Sequence, residues 1–312
     1  MAGDPVNRAL RPTFEFEEGA GTLHRVRWPW GLLVCAVAAG CLESRPYNAL
    51  GYRCDTNADC DKATLCVDNK CLAPGAAERP GPENTGVPPG TVLTPSVGFD
   101  ITVDGTVIDG LDVTGCIRVL ANNVTIRRTR LRCNWYVTVE FAKDKTGLLV
   151  EDSELENKPL GGGLGIGYQN YTARRLNVHA GAQGAHIGDN VVFEHSYLHD
   201  FVGTDLAGFE TRDATNVVLS RNQIDARGAN SISAIVLRTY DGPLQNIQIK
   251  NNWLNGGEYV LQLLGTKERA AQLQVEGNRF GRDFTTAPYK IEVGTTWAGN
   301  VFNDNDEPIA GP

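Results

Sequence analysis

The middle of the chain carries residues suited to acid–base chemistry on a sugar. His186 is a candidate general base or acid near neutral pH, and Arg212 and Arg238 are candidates to hold a carboxylate through paired N–H groups. This set suits β-elimination at a uronic acid, in which the C5 proton is removed while the sugar carboxylate is neutralised. Asp205 and Glu210 offer an alternative, because a glycoside hydrolase needs two carboxylates.

Except for Asp205, these residues fall in short segments in which apolar and polar side chains alternate, which predicts strands with one buried face and one outward face. The segments are 137–141, 184–187, 208–212, 234–240, 259–263 and 289–293. Besides the catalytic candidates, they provide four candidates for substrate contacts, namely Glu140, Tyr240, Gln262 and Lys290. The alternative interpretation is a solvated strand face whose charged side chains pair incidentally.

A repeat of 18 to 30 residues runs through the chain. Nine segments align on one apolar or small anchor position: Ile108, Ile126, Val150, Ala173, Phe193, Leu219, Ile249, Val275 and Trp297. The residue five positions after each anchor is apolar in every segment. Such a strand, repeated at this spacing, predicts coils stacked into a solenoid. The longest coils surround Glu210, Arg238 and Gln262, and their extra residues are expected to form loops, where functional sites are often built.

Two polar columns accompany the repeat. Asparagines stand three residues before five anchors, at Asn123, Asn170, Asn190, Asn216 and Asn246. A second set stands three residues after the anchors: Asn222, Asn252, Asn278 and Asn300, with Thr129, Ser153 and Ser196 in other coils. Asparagine tolerates left-handed turns, and its amide can bond the next coil. We therefore expect both columns at inward corners, as scaffold.

The cysteines divide into two groups. A tight C-x5-C-x5-C-x4-C cluster, consisting of Cys54, Cys60, Cys66 and Cys71, predicts two disulfides in a small module at 54–71. Zinc is the rival interpretation, although the C-x2-C spacing is missing. Cys116 and Cys133 lie in adjacent coils, close enough for a bridge. Prolines and glycines at 72–90 predict a semi-stiff linker to the large domain at 91–312.

The first 40 residues are interpreted as a leader for export. A short basic stretch at 24–27 precedes an apolar run at 31–40, which suits a signal peptide. The true start of translation is expected to be internal, near Val26. The run ends in Ala-Ala-Gly-Cys, which resembles a bacterial lipobox and makes Cys41 the candidate lipidation site, followed by a tether at 41–53. The alternative is a plain signal peptide cut near Gly40. The chain is therefore expected to be an outer-membrane or cell-surface lipoprotein, or otherwise extracellular.

Charge and composition exclude several partners. The formal net charge of −8 argues against nucleic acid, which requires a basic face. No apolar run reaches the length of a spanning helix, so membrane contact is expected through the lipid anchor only. His179 and His199 are weak candidates for a metal site. No cluster of carboxylates suits Ca²⁺, so no cofactor is predicted. The sequence does not define the oligomeric state.

The repeat resembles the pectate-lyase-like superfamily. Asn-Val-Thr-Ile-Arg at 123–127 and Asn-Asn-Trp-Leu-Asn-Gly-Gly at 251–257 are similar to secreted bacterial β-helix repeat proteins. The resemblance covers about 85–308 and implies an all-β fold, a single-stranded right-handed parallel β-helix of about nine coils after the disulfide-rich module. It also implies a site on an exposed parallel sheet. Several motif positions of the group, around Gln183 to His186, Asp205 to Gly208 and Arg238, carry other residues here.

These observations favour a surface-anchored protein that binds, and in one interpretation cleaves, an acidic polysaccharide along the β-helix, as a lyase rather than a hydrolase if it is catalytic. The alternative is a non-catalytic adhesion or envelope-structural β-helix, which the substituted motif positions favour.

Overall fold

The computed structural model describes residues 65–67, 70–72, 79–158 and 162–312. The predicted leader and tether, with Cys41, Cys54 and Cys60, lie outside these residues. Of the predicted module, two short strands are described, β1 (Leu65–Val67) and β2 (Lys70–Leu72), paired antiparallel with Cys66 opposite Cys71. Among the described residues, no helix has the length and apolar character needed to cross a membrane.

The large domain is a right-handed parallel β-helix with three strand faces. Strands are numbered along the chain. Face one contains β4 (Val107–Asp109), β6 (Thr125–Arg127), β9 (Leu148–Glu151), β12 (Tyr171–Arg174), β15 (Val191–Glu194), β18 (Ala214–Ser220), β21 (Leu244–Lys250), β24 (Ala270–Glu276) and β27 (Thr296–Ala298).

Face two contains β3 (Thr94–Ile101), β5 (Leu111–Val119), β7 (Arg130–Cys133), β10 (Glu154–Asn157), β13 (Asn177–His179), β16 (Tyr197–His199), β19 (Gln223–Asp225), β22 (Trp253–Asn255), β25 (Arg279–Phe280) and β28 (Val301–Phe302). Face three contains β8 (Val137–Phe141), β11 (Leu164–Gly167), β14 (Gln183–His186), β17 (Leu206–Thr211), β20 (Ser231–Arg238), β23 (Tyr259–Leu264) and β26 (Ala287–Ile291). A 3₁₀ turn at Lys267–Arg269 precedes β24. Faces two and three join at β5, whose first half pairs with β7 of face two and whose second half pairs with β8 of face three.

The predicted anchor column is the register of face one. Ile108 pairs with Ile126, and each following anchor pairs with the next, as far as Val275 with Trp297. The column five residues later is likewise in register along face two, from Val113 with Leu131 to Phe280 with Phe302. Both predicted columns are confirmed, because a period-2 strand can bury only one of its faces.

A disulfide joins the first coils. The sulfur atoms of Cys116 and Cys133 lie 2.06 Å apart and their Cα atoms 4.8 Å apart, which confirms the predicted bridge. It closes a loop between β5 and the end of β7.

The two asparagine columns have different environments. Asn222, Asn252, Asn278 and Asn300 are buried, and their amides form a continuous ladder at 2.9–3.1 Å that also bonds the main chain. The other column, which we also expected at inward corners, lies at the surface instead. Its residues adopt φ of +54° to +61° at exposed or partly exposed turns, and the amides of Asn170, Asn190, Asn216 and Asn246 bond side chain to side chain. The left-handed backbone conformation at these positions directs the asparagine side chains outward.

The described part of the predicted linker lies against the β-helix. Thr85 is buried, and Gly86 N donates to Arg175 O at 2.8 Å. Arg79 Nε donates to Gln223 Oε1 at 2.5 Å. Residues 79–90 therefore run beside face two, from the coil of β19 to the coil of β13 and on towards β3.

The C-terminal tail covers the last coil. Ile309 N donates to Asn300 O at 3.0 Å, and Trp297 Nε1 donates to Ile309 O at 2.9 Å. Tyr289 OH donates to Ala310 O at 2.9 Å. These bonds place the tail over aromatic rings that would otherwise end the core.

Candidate functional site

The outward side of face three brings several predicted residues into one column. Strand pairing places Glu140 beside Gly167, and His186 beside Glu210. The same column continues through Val236 and Gln262 to Lys290. Adjacent members are about 4.8 Å apart, the spacing of neighbouring strands. The predicted sheet is therefore present, and its candidates form a line along the axis of the solenoid.

Glu210 has both carboxylate oxygens engaged. Arg238 Nη1 donates to Oε1 at 2.5 Å, and Gln183 Nε2 donates to Oε2. The Arg238 and Glu210 side chains are only 13% and 19% exposed. Arg238 therefore holds a carboxylate of its own chain, so the clamp that the sequence predicted for a substrate is already occupied.

Arg212 is engaged as well, but at the surface. Its Nε donates to Asp241 Oδ2 at 2.7 Å, and this hydrogen bond lowers the pKa of Asp241. The Tyr240 ring, which is exposed, lies 5.4 Å from the Arg212 guanidinium carbon and 5.8 Å from that of Arg238. The ring and the two guanidinium groups form a platform beside the column, with the Tyr240 ring exposed to solvent.

The other predicted contacts are less suitable. Gln262 is buried, and its Nε2 donates to Ile232 O at 3.1 Å, so it does not face a ligand. Lys290 is exposed, with Nζ 3.5 Å from Glu292 Oε1. Asp205 is exposed at the start of β17, five residues from Glu210. Five extended residues span about 16 Å, which exceeds the ~5–9.5 Å between paired catalytic carboxylates.

His186 is a half-buried imidazole at the edge of this column. Burial lowers its pKa, while the Tyr168 carbonyl and the Glu210 carboxylate act in the opposite direction. Its Nδ1 is enclosed and has no hydrogen-bond partner among the described residues. Nε2 is not among these enclosed, unpartnered atoms, and it is the ring nitrogen that is the candidate for contact with a ligand. The backbone is fixed by Tyr171 OH, which donates to His186 O at 2.8 Å.

Two further residues complete the group, and sequence reasoning missed both. The Tyr168 ring packs edge-on against His186, with centroids 5.4 Å apart, and burial raises the pKa of its phenol. Lys143 Nζ lies 5.1 Å from the Tyr168 centroid, and Lys143 has no ion pair within the described part of the chain. Gln169 Nε2 donates to Lys143 O at 3.0 Å and so fixes the turn that carries the lysine. We call Lys143, Tyr168, His186, Glu210 and Glu140 the His186 cluster.

The His186 cluster combines a neutral base, a phenol, an unpaired cation and a fixed carboxylate. A neutral imidazole can accept a proton, a phenol can donate one, and an ammonium group can neutralise an anion nearby. These are the parts that proton abstraction beside a carboxylate requires.

Comparison with known families gives one match. Residues 105–280, more than half of the chain, match the family described as right-handed β-helix region. The chain belongs to this family. No curated protein matches it. The matched residues include every member of the His186 cluster, but a β-helix carries many activities, so membership of the family does not select the reaction.

The weak metal candidates of this β-helix protein lie on face two. The rings of His179 and His199 stack with centroids 5.3 Å apart. The hydrogen bond from His179 lowers the pKa of Glu154 to about 2, against the effect of partial burial. Nδ1 of His199 lies 2.8 Å from Asp200 Oδ2, and Nε2 lies 2.8 Å from Asn177 Oδ1. Both rings are thus used within the face, and the described residues contain no group of three or more potential metal ligands.

Proposed function

We propose that this β-helix protein binds an acidic polysaccharide along the outward side of face three and cleaves it by β-elimination at His186. The observation that carries the proposal is a neutral imidazole, enclosed at Nδ1, beside the unpaired cation Lys143.

The roles follow from the chemistry of each group. Lys143 neutralises the uronate carboxylate, which acidifies the C5 proton. His186 Nε2 accepts that proton, and its electrons form the C4–C5 double bond as the bond from C4 to the leaving oxygen breaks. Tyr168 OH donates a proton to that oxygen. Glu210, fixed by Gln183 and Arg238, keeps a negative charge beside the imidazole and so stabilises its protonated form.

A lyase is favoured over a hydrolase because the carboxylates do not form a pair. Glu210 is engaged at both oxygens, and Asp205 lies about five extended residues away. Glu140 is three strand steps from Glu210 along the column, or about 14 Å. None of these pairs has the separation that a glycosidase needs.

A panel of uronic-acid polymers tests the proposal, with the ultraviolet absorbance of the unsaturated product as the measurement. Wild type is expected to turn over at least one polymer, and His186→Ala is expected to lose about 10²-fold or more. His179→Ala, a half-buried histidine on face two, is the matched control and should keep full activity. Absence of turnover on every polymer, or equal loss in the control, contradicts the proposal.

The alternative is a non-catalytic adhesion or envelope β-helix. One observation favours it: the two arginines of face three are paired with Glu210 and Asp241 of the same chain, which leaves little free positive charge for a polyanion. Binding of the same polymers without any turnover, measured by calorimetry, would support this second function.

A further inference from the structure

The outward side of face three carries little positive charge that is free to meet a polyanion. The cations of its strands, and of the turn after β17, already have carboxylate partners in the same chain: Arg118 with Asp100, Arg238 with Glu210, Lys290 with Glu292 and Arg212 with Asp241. Lys143 lies beside His186 and has no ion pair within the described part of the chain. The His186 cluster can therefore neutralise one carboxylate of a bound polymer.

Glu140 is a carboxylate without a compensating partner. It is half-buried in β8 and forms no hydrogen bond or ion pair with the described residues. Its neighbour in β5 is Arg118, whose guanidinium bonds Asp100. Its neighbour on the other side is Gly167, so the outward column has no side chain between Glu140 and His186, which are two strand steps or about 10 Å apart. The Glu140 carboxylate therefore faces the space next to His186.

Negative charge also lies on the other side of His186. Glu210 is its neighbour in β17 and bonds Gln183 and Arg238. Asp213 is exposed in the turn after β17, and its charge acts, against the effect of burial, to raise the pKa of His186. The position of the uronate at Lys143 is thus bordered by carboxylates on both sides.

A polymer with a carboxylate on every sugar suits this surface poorly. Lys143 can neutralise one of its carboxylates, whereas the next ones would meet Glu140 and Glu210 at a partly buried surface, where like charges are screened less than in water. An uncharged sugar suits the same positions, because its hydroxyl or amide N–H groups can donate hydrogen bonds to the unengaged oxygens of Glu140.

We infer that the polymer bound at the His186 cluster is a copolymer in which uronate residues alternate with uncharged sugars, rather than a chain with a carboxylate on every sugar. This inference rests on the proposed function, because it takes the polymer to lie along the outward side of face three with one uronate at Lys143. Within that site, Lys143 selects the uronate, and Glu140 and Glu210 select its uncharged neighbours.

Calorimetry with the full chain tests the inference on three polymers of matched length and at one salt concentration. They are polygalacturonate, the same polymer with half of its carboxylates converted to neutral methyl esters, and hyaluronan, in which glucuronate alternates with N-acetylglucosamine. Where wild type cleaves a polymer, His186→Ala is used so that the bound polymer stays intact. The half-esterified polymer or hyaluronan is expected to bind about tenfold more tightly than polygalacturonate, because fewer like charges meet.

Glu140→Gln removes the charge and keeps the shape of the side chain. It should raise the affinity for polygalacturonate about tenfold and change the affinity for the half-esterified polymer little. Glu276→Gln is the matched control, since Glu276 lies on face one, 3.3 Å from Lys250, and should change neither affinity. Lys143→Gln should weaken the binding of every charged polymer. Circular dichroism must show the same strand content in all variants.

The outcomes separate this inference from the proposed function. If polygalacturonate binds as tightly as the two other polymers, or if Glu140→Gln changes all affinities equally, the inference is overturned while binding of an acidic polysaccharide stands. If the preference is present without any turnover, the inference stands and cleavage fails. If no polymer binds, or if Lys143→Gln binds as wild type does, both are overturned, because the polymer does not then occupy the His186 cluster.

Discussion

The two arginines of face three differ in how much the fold depends on them. Arg238 and its partner Glu210 are both mostly buried, whereas Arg212 and Asp241 are each more than half exposed. Exposed ion pairs contribute about 0–1 kcal/mol, because water and salt screen the charges. Removing one partner of a buried hydrogen bond leaves the other desolvated and unpaired, which costs more.

We therefore expect Arg238→Ala to lower the free energy of unfolding by ~1–3 kcal/mol. Arg212→Ala should change it by less than ~1 kcal/mol, although it removes the same charge. Denaturant titration of both variants measures the difference. Equal stability of the two variants would show that the Glu210 pair contributes no more than a surface pair.

The half-buried His186 is expected to make both stability and activity depend on pH. Burial lowers the pKa of His186 below the ~6.5 of an unfolded histidine, so the unfolded chain binds more protons in the interval between the two values. The stability that the neutral ring contributes is present above pH ~6.5 and is lost as the pH falls through the folded pKa. If His186 is the base, kcat/KM follows the same group and falls only below pH ~6.5.

Glu210→Gln should move this acid limb to still lower pH, because the Glu210 carboxylate acts to raise the pKa of His186. The measurement is the pH profile of kcat/KM for wild type and variant. If kcat/KM falls at the same pH in Glu210→Gln and in wild type, Glu210 does not influence the base. If kcat/KM falls already above pH ~6.5, His186 is not the base.

At the scale of the coil, substitutions in the buried asparagine ladder are expected to cost more stability than substitutions in the exposed one. Asn252 Nδ2 donates to Leu219 O, and its Oδ1 accepts from Asn222 N, both at 2.9 Å. Asn252→Ala leaves these buried main-chain groups unsatisfied and should cost ~1–3 kcal/mol. Asn216→Ala, in the exposed ladder, loses a left-handed preference and two side-chain hydrogen bonds that water can replace, and it should cost less than ~1 kcal/mol. Thermal unfolding compares them, and a reversed order would contradict this assignment of the two ladders.

The disulfide between the first coils should also contribute to the free energy of unfolding. Cys116 and Cys133 are 17 residues apart, and closing a loop of that length removes roughly 3 kcal/mol of unfolded-state entropy. Cys116→Ser/Cys133→Ser is expected to lower the free energy of unfolding by about that amount without loss of strand content by circular dichroism. A double variant as stable as wild type would show that the first coils do not need the bridge.

The repeat could be predicted from sequence because burial imposes it in each strand separately. Every anchor, from Ile108 to Trp297, pairs with the next one expected. The alternating pattern fails where glycine replaces apolar side chains. Leu164–Gly167 reads as a glycine-rich loop, so the sequence does not predict β11 or the coil that carries Tyr168. The contacts within the site could not be predicted, because they join side chains from different coils. Arg238 bonds Glu210, 28 residues away, and no local pattern indicates that choice.

At the scale of the whole molecule, we propose that the protein works at a membrane surface outside the cell. Residues 79–90, the described segment before β3, run along face two, so this part of the chain reaches the solenoid from its side. If such a chain is tethered by lipid, the outward side of face three remains open to a polymer.

The lipid itself can be tested directly. Because a basic stretch and a short apolar run lead into Ala-Ala-Gly-Cys, we expect a mature chain that begins at Cys41 with lipid attached. Mass spectrometry of the membrane-extracted protein should show this modified terminus, since two acyl chains or more give stable anchoring. Cys41→Ser removes the acceptor sulfur and should move the protein to the soluble fraction, with the β-helix equally stable. An unmodified terminus at another residue, or a Cys41→Ser variant that stays in the membrane, would assign the apolar run to a plain signal peptide.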